Sequence, residues 1–454
     1  MIRTLERLKD RLAFVLFLLA VAIMLIVYGY LVGTQKLFPY SIVARAQWAF
    51  EELWNWAELY SPFRSEEDHP HVILWNGQDP TLPPPASDSD DLTFVSAYRP
   101  GSFGFLLVDA NGDLRHEWRV PDAVHDRLQQ VRWRIPASHH EVLGAHLFAN
   151  GDVVFNINFQ ALARIDRCSK LIWYLKENAH HSMFVDADGF IWVPGRHLVT
   201  KKQDRLPSVA PPFWDDSIMK VSPDGKVVER ISVLQALFDG GYQGLVLQGR
   251  SARPTTTSDD PLHLNDVELV SAAFASHHSF AQEGDILVSM RTLDALALID
   301  KDSHRAKFAM AGNMLRQHDP DALANGDFLI FDNRTEVSEL NQASFVADGQ
   351  AFGYSRVVEI NPETRDIVWS FEGSKESPFF SSVQGSQEQL DNGDVLVVEP
   401  EGGRVFEVDR ASKRIVWQFR NKIGKTAKGT LLGRVTGAER YHAGDLSFLD
   451  ASCD

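Results

Sequence analysis

ANGDFLIFDN (Ala324–Asn333), RVVEI (Arg356–Ile360) and DIVWSF (Asp366–Phe371) follow one another as a Gly turn, an apolar run leaving on Asp-Asn, a strand with an acidic residue near its end, and a strand carrying Trp. Asn-Gly ahead of alternating apolar residues is a strong hairpin signal, because both turn residues tolerate positive φ. The same order returns in ANGDVVFNI, ALARID and KLIWYL from Ala149, and in DNGDVLVV, RVFEVD and RIVWQF from Asp391. Such a unit cannot bury its apolar faces alone, whereas stacked copies can. Units fall near residues 93–118, 145–176, 180–232, 263–310, 317–373 and 384–420, each supplying about four antiparallel strands. The expected fold is all-β, a six-bladed β-propeller. The leftover run from Arg434 to Asp450 is expected to complete the first blade and join the ends of the ring, leaving no exposed edge. A sandwich would leave the repeat unexplained.

Working outward, Leu12 to Gly33 is an uncharged stretch of 22 residues, close to the ~20 a helix needs to cross a bilayer. Arg3, Arg7, Lys9 and Arg11 precede it and only Lys36 and Arg45 follow closely, which predicts a cytoplasmic N-terminus and an external body. The stretch is too long for an ordinary signal peptide and no small-x-small site follows promptly, so a retained anchor is expected. Trp48, Phe50, Trp54, Trp56 and Tyr60, interleaved with Glu51, Glu52 and Glu58, suit an interfacial helix or equally a packing helix. Gln78 to Asp91, rich in Pro, Ser and Asp, reads as a linker. The expected organisation is therefore a tail and transmembrane anchor at 1–40, a juxtamembrane helix and linker at 41–91, and the propeller at 92–454. Inserts at Leu198–Trp214 and Leu234–Pro261 read as loops over one face, and helical runs are expected near Val120–Arg132 and Val233–Phe238.

Hydrophobic residues make up 44% of the chain and charged ones 23%, a balance that permits a sizeable core. The net charge of −16 would repel nucleic acid from most of the surface. Any anionic substrate must then be received by a local cationic pocket. The two cysteines, Cys168 and Cys453, can form a disulfide in an exported protein or remain buried thiols. Neither lies in the CxPxR context of formylglycine sulfatases. No GxxxxGK[ST] loop is present, which argues against P-loop nucleotide binding.

Among the histidines, His181 and His318 each lie seven positions before the turn residue of their unit, Asp188 and Asn325. Equivalent positions in a propeller face one channel, so imidazoles 137 residues apart should converge, although adjacent His180 competes for the inward place. His263 opens another unit, and Arg291 ends the strand Asp285–Met290. Three imidazoles and a guanidinium suit a tetrahedral anionic group. A zinc site on His181, His263 and His318 is the competing chemistry, with Asp319 and Asp321 available to a harder cation; the arginine and the absence of an HxH or HxxxH pair count against it. No metal and no cofactor are expected.

Gln317-His318, Phe331-Asp332-Asn333 and Tyr354-Ser355-Arg356 resemble the signature of the bacterial arylsulfotransferases, and LHLNDVE from Leu262 and SMRTLDALALID from Ser289 are similar to the family's preceding segments, in order. The resemblance implies sulfuryl transfer from an aryl sulfate donor to a phenolic acceptor without a nucleotide, with His318 as nucleophile through a sulfohistidine. It further implies that His263 and Arg291 hold the sulfuryl oxygens and that His181 stabilises charge or shuttles the proton. Asn265, Asn333 and Arg356 are the expected substrate-binding residues, with the two asparagines also able to orient imidazoles. Asp319 stands where the defining enzymes carry a small hydroxyl residue, and the anchor replaces their separate N-terminal β domain. The expected setting is a bacterial inner membrane, crossed once, with the propeller in the periplasm. The sequon at Asn333-Arg334-Thr335 adjoins the site, where a glycan would obstruct it. The alternatives are a hydrolase or lyase acting on envelope glycans or lipids, and a non-catalytic propeller that binds a ligand or partner.

Overall fold

The computed structural model describes residues 2–35, 37–40, 42–43, 66–77, 82, 90–128, 137–252, 260–335, 354–374 and 377–453. Two compact units are distinguished, one of residues 1–63 with 199–213, the other of residues 64–198 with 214–454. In the first, a helix spans Ile2–Gln35, and its Arg11–Gln35 portion, mean hydropathy 2.9 with none of it buried, is long and apolar enough to cross a membrane. The expected aromatic helix at Trp48–Tyr60 and nearly all of the Gln78–Asp91 linker lie outside the described residues.

The second unit is mostly β. Among the described residues, six antiparallel sheets have four strands each. The first joins Asp91–Arg99, Ser102–Asp109 and Leu114–Arg119 to Val435–His442 from the far end of the chain, so the C-terminal run completes the first sheet. The second is Val142–Leu147 to Leu171–Leu175, the third Phe184–Val185 to Val227–Ser232, the fourth Leu264–Leu269 to Ala306–Ala311, the fifth His318–Ala322 to Ile367–Glu372, and the sixth Ser386–Gln389 to Arg414–Arg420. The segment expected to be helix and linker contributes a strand, Val72–Trp75, to a separate three-stranded sheet with Gly429–Gly433 and Lys422–Thr426. Short helices occur at Asp122–Leu128 and Val233–Asp239, and the second long insert also holds a helix, Gln243–Ala252.

Local chemistry explains the hairpins. Asn150, Asn325 and Asn392 each accept, through the side-chain oxygen, the N–H two residues on, at 3.1, 3.0 and 2.9 Å. Gly326 supplies the positive φ of 92° that such a turn requires. Packing follows the two-residue period of the strands. Phe328 and Ile330 join the cluster of Phe274, Leu296, Met310 and Val358 on one side of the fifth sheet. Leu329 and Phe331, one residue out of phase, join Phe379, Val397 and Phe406 on the other. The strand Phe328–Asp332 is thus buried on both faces, which is why it reads as a nearly continuous apolar run.

Side chains latch one sheet to the next. Asn156 Nδ2 donates to His181 O (2.6 Å), Asn265 Nδ2 to Gln317 O (2.7 Å), Asn333 Nδ2 to Gln384 O (2.7 Å), and Asn421 Nδ2 to Tyr98 O (2.8 Å). Asp216 accepts Leu264 N (2.9 Å) between the third and fourth sheets, and Tyr441 donates to Leu147 O (2.9 Å) between the first and second. The order is cyclic. Cys168 and Cys453 form a disulfide across 285 residues of chain, tying the second sheet to the C-terminal tail.

Removing a latch leaves buried carbonyls without a donor, which costs about 1–3 kcal/mol each. Asn421→Ala, which strips Tyr98 O and Gly433 O together, should lower the urea midpoint of unfolding clearly, whereas Lys413→Ala on the exposed side of the same sheet should leave it unchanged.

Candidate functional site

The imidazoles stand where chain enters the innermost strands. His181 and His263 directly precede or open such a segment in the left-handed conformation, at φ 55° and 52°, and Arg316 and Asp319 flank His318 at 60° and 51°. Left-handed backbone at a non-glycine residue costs on the order of 1–3 kcal/mol and persists only where the surroundings impose it. The latches hold the carbonyls of His181 and of Gln317, between Arg316 and His318.

The rings of His181 and His263 lie 5.1 Å apart, and those of His181 and His318 6.2 Å. His181 and His318 line a cavity of about 390 Å³ together with Asn265, while His263 stands outside its wall against His181. His180 is fully buried, and its Nδ1 contacts His181 Nδ1 at 2.9 Å, so His181 is the member that reaches the cavity. Arg291 begins the short 3-10 turn Arg291–Leu293, its N–H bonded to His263 O (3.1 Å), and its charge acts on both His318 and His181.

The proton on His318 can be placed. Asn333 Nδ2 donates to Ser381 O (2.9 Å) and Gln384 O (2.7 Å), so both of its N–H groups face acceptors and Oδ1 must be the atom facing His318 Nδ1, at 2.7 Å. An oxygen only accepts, so Nδ1 carries the hydrogen and Nε2 keeps its lone pair. Burial, and then the Arg291 charge, hold His318 down at about 3, against a weaker upward pull from Asn333; the ring is neutral at physiological pH. Burial likewise holds His181 well below the usual histidine range, with His180, His263, His318 and Arg291 adding to it.

His263 has a different partner. Its Nδ1 lies 2.7 Å from Asp260 Oδ2, while Asp260 Oδ1 accepts the His263 N–H at 3.0 Å. Burial opposes ionisation of Asp260, but His263, with Arg196 and His180 beyond, holds the carboxyl at about 2. The pair is a carboxylate-backed imidazole, the arrangement used where a ring relays a proton. Asp260 was not read from the sequence, although its place three residues before His263 was the available signal.

The signature residues brace the chain around His318. Arg356 donates to Asp332 Oδ2 (2.7 Å) and Asn313 O (2.9 Å), and Asp332 Oδ1 accepts Leu315 N (2.8 Å), which fixes the chain ahead of His318. Ser355 Oγ accepts Ser381 N (3.0 Å) and reaches Asn333 O (3.1 Å), holding the loop that Asn333 grips. Asn333 is fully buried with its N–H groups used, so the sequon cannot be glycosylated in the folded protein.

The cavity wall departs from the expected cationic pocket. Among the described residues no lysine or arginine lines it, whereas Asp266, Glu268, Asp319, Asp321, Glu388 and Glu439 do. Burial pushes Asp319 up to about 7 and Glu268 and Glu388 up to about 8. The carboxylate beside His318 is therefore substantially protonated near neutrality. Among the described residues, the histidines of the site do not form a group of three or more metal-donor side chains whose donor atoms lie within 4.8 Å of one another; Asp90, Asp91 and His442, at the edge of the first sheet, do.

Comparison with known proteins gives one family. Nothing among curated proteins matches the chain. Among solved structures, a protein of unknown function from Bacteroides caccae aligns with a TM-score of 0.46 at 12% identity, over 76% of this chain and 97% of its own. The WD40 β-propeller domain of Doa1 aligns at 0.40 and 10%, over 82% and 96%. A virginiamycin B lyase from Staphylococcus aureus aligns at 0.37 and 9%, over 74% and 86%. The arylsulfotransferase (ASST) family model matches residues 144–422, more than half the length and every residue of the imidazole cluster, and the chain belongs to that family.

Proposed function

We propose that the protein transfers a sulfuryl group from an aryl sulfate to a phenolic acceptor through a sulfohistidine at His318, on a six-bladed propeller held at the outer face of a bacterial inner membrane. The observation that carries this is the fixed tautomer of His318, a neutral ring with Nε2 unprotonated beside a guanidinium and two further imidazoles. Nε2 attacks sulfur, the bond from sulfur to the aryl oxygen breaks, and the phenolate leaves, taking a proton from His263, which recovers one from the acceptor phenol in the second half. In the second half the acceptor oxygen attacks the same sulfur, the N–S bond breaks, and the neutral ring returns. Charge spreads over the equatorial oxygens in both steps, where Arg291 stabilises it.

The proton role falls to His263 rather than to His181. Asp260 backs His263 with a carboxylate, whereas burial keeps His181 neutral. His181 then serves as a neutral donor to a sulfuryl oxygen. Cyclic latching of six sheets supports the blade count, and the disulfide supports an oxidising compartment, since such bonds persist outside the cytoplasm. With the basic residues before the helix, this supports a body on the periplasmic side.

The test uses the detergent-solubilised full chain with an aryl sulfate, alone and with a phenol. Wild type should transfer; His318→Ala should lose at least ~10³-fold in kcat, and Arg291→Lys should retain a little, because an ammonium keeps the charge but not the planar fork. Full transfer by His318→Ala would refute the reading. Because His318 is neutral above about 3, kcat/KM should show no acid limb from it near 6.5. Asp319 is neutral below about 7 and ionises above it, so kcat/KM for the anionic donor should fall as pH rises through that value, and Asp319→Asn should flatten the fall.

A further inference from the structure

One contact of the site crosses the cyclic order of the sheets instead of following it. Gln384 Nε2 donates to Glu141 Oε1 at 3.0 Å, between residues 243 apart in the chain. Glu141 directly precedes the strand Val142–Leu147 of the second sheet, and Gln384 stands two residues before Ser386–Gln389 of the sixth. Those sheets are not neighbours, since the first sheet is latched to the sixth through Asn421 and to the second through Tyr441. Both residues stand where chain enters an innermost strand, as the imidazoles do, and Gln384 lines the same cavity as His318.

The contact bears on a strained residue. Gln384 is left-handed, at φ 59°, a conformation that persists at a non-glycine residue only where something outside it imposes the backbone angle. Among the described residues the Gln384 side chain is held by Glu141 alone, because its Oε1 has no donor. Gly385 follows at φ 105°, so close to the Phe331 ring that a Cβ there would collide with it, and the chain has no slack on that side. The Gln384 carbonyl accepts Asn333 Nδ2 at 2.7 Å, and Asn333 Oδ1 accepts the His318 Nδ1 hydrogen at 2.7 Å. Glu141 is itself pinned. Its Oε2 accepts Asn158 Nδ2 (3.3 Å), the Arg434 guanidinium lies 3.6 Å from Oε1, its N–H donates to His139 O (3.1 Å) and its carbonyl accepts Asn158 N (2.9 Å).

We propose that Glu141 is a positioning residue for His318: by gripping the Gln384 side chain it keeps the Gln384 carbonyl on Asn333, and so keeps the hydrogen of His318 on Nδ1 and the lone pair on Nε2. The effect on rate rests on the sulfuryl-transfer reading, while the place of the hydrogen is a property of the folded chain alone. Without Glu141, Gln384 relaxes toward ordinary φ and its carbonyl turns away from Asn333 Nδ2. The orientation of the Asn333 amide is then decided by one acceptor, Ser381 O, instead of two, and the state with nitrogen toward His318 becomes populated. A ring facing that N–H accepts it at Nδ1, and its own hydrogen moves to Nε2, onto the electron pair that attack on sulfur needs. Glu141 acts through Gln384 and Asn333 and touches no reacting atom, so its loss slows the chemical step and leaves donor affinity alone. The acceptor oxygen does the holding, so a glutamine serves in its place.

The full-length protein in detergent, carrying isotopically labelled histidine, is measured by nitrogen NMR, with the His318 signals identified as those missing from His318→Ala. Wild type should show the hydrogen on Nδ1. Glu141→Ala and Gln384→Met, checked for folding by thermal melting, should each show it on Nε2 or exchanging between the two, whereas Glu141→Gln should keep it on Nδ1. Rapid quench with an aryl sulfate should find sulfohistidine formation ~10–100-fold slower in Glu141→Ala and Gln384→Met, at unchanged donor affinity, and close to wild type in Glu141→Gln. The double variant should be no slower than either single one, because both changes break the same bond. A wild-type hydrogen on Nε2, an unmoved hydrogen in the folded variants, a Glu141→Gln as impaired as Glu141→Ala, or multiplied losses in the double variant would each overturn the proposal. If Glu141→Ala does not fold, Gln384→Met decides it. A hydrogen that moves as described in a protein that never transfers would uphold the proposal and refute sulfuryl transfer; transfer with an unmoved hydrogen would do the reverse.

Discussion

A single side-chain amide, that of Asn333, joins the architecture to the chemistry. Its two N–H groups hold the Ser381 and Gln384 carbonyls of the next sheet, and its oxygen is left for His318 Nδ1. The planarity of the amide makes these facts one fact. If the fifth and sixth sheets are seated, the tautomer of His318 follows; if they part, the ring loses both its orientation and its free Nε2. Asn156, Asn265 and Asn421 repeat the latch at other seams, and at two of them the carbonyl gripped belongs to His181 or to the residue before His318. The site is therefore built from the same contacts that order the sheets.

His181 and His318 line the cavity, with His263 against His181 and the Arg291 charge acting on both lining rings, while six carboxyl groups make up much of the remaining wall. Burial keeps Asp319 near the midpoint of its titration at neutral pH, so the acidic neighbour of His318 need not repel a sulfate.

The repeat was legible because its signals are local: an Asn or Asp side chain bonded two residues on, a Gly at positive φ, and strands of period two facing different neighbours. Convergence of His181 and His318 followed from spacing, although the latches hold the carbonyls of His181 and Gln317, so the two rings enter one residue out of step. What the sequence hid is what depends on register across sheets. Glu268 or Glu439 looks like any polar residue of an alternating strand until the curvature of the ring turns it inward. Bulges between His318 and Asp321 and between Leu264 and Asp266 shift the phase further. Arg356 carries the family signature, yet its guanidinium is taken by Asp332, a partner 24 residues away that no spacing rule singles out.

The most direct measurement is mass analysis after rapid quench of the wild-type protein with an aryl sulfate. The account predicts one added sulfuryl group, about 80 Da, on the peptide containing His318, formed within a turnover and discharged when a phenol is added, since double displacement requires a covalent intermediate. Efficient transfer with no label on that peptide at any time would contradict it.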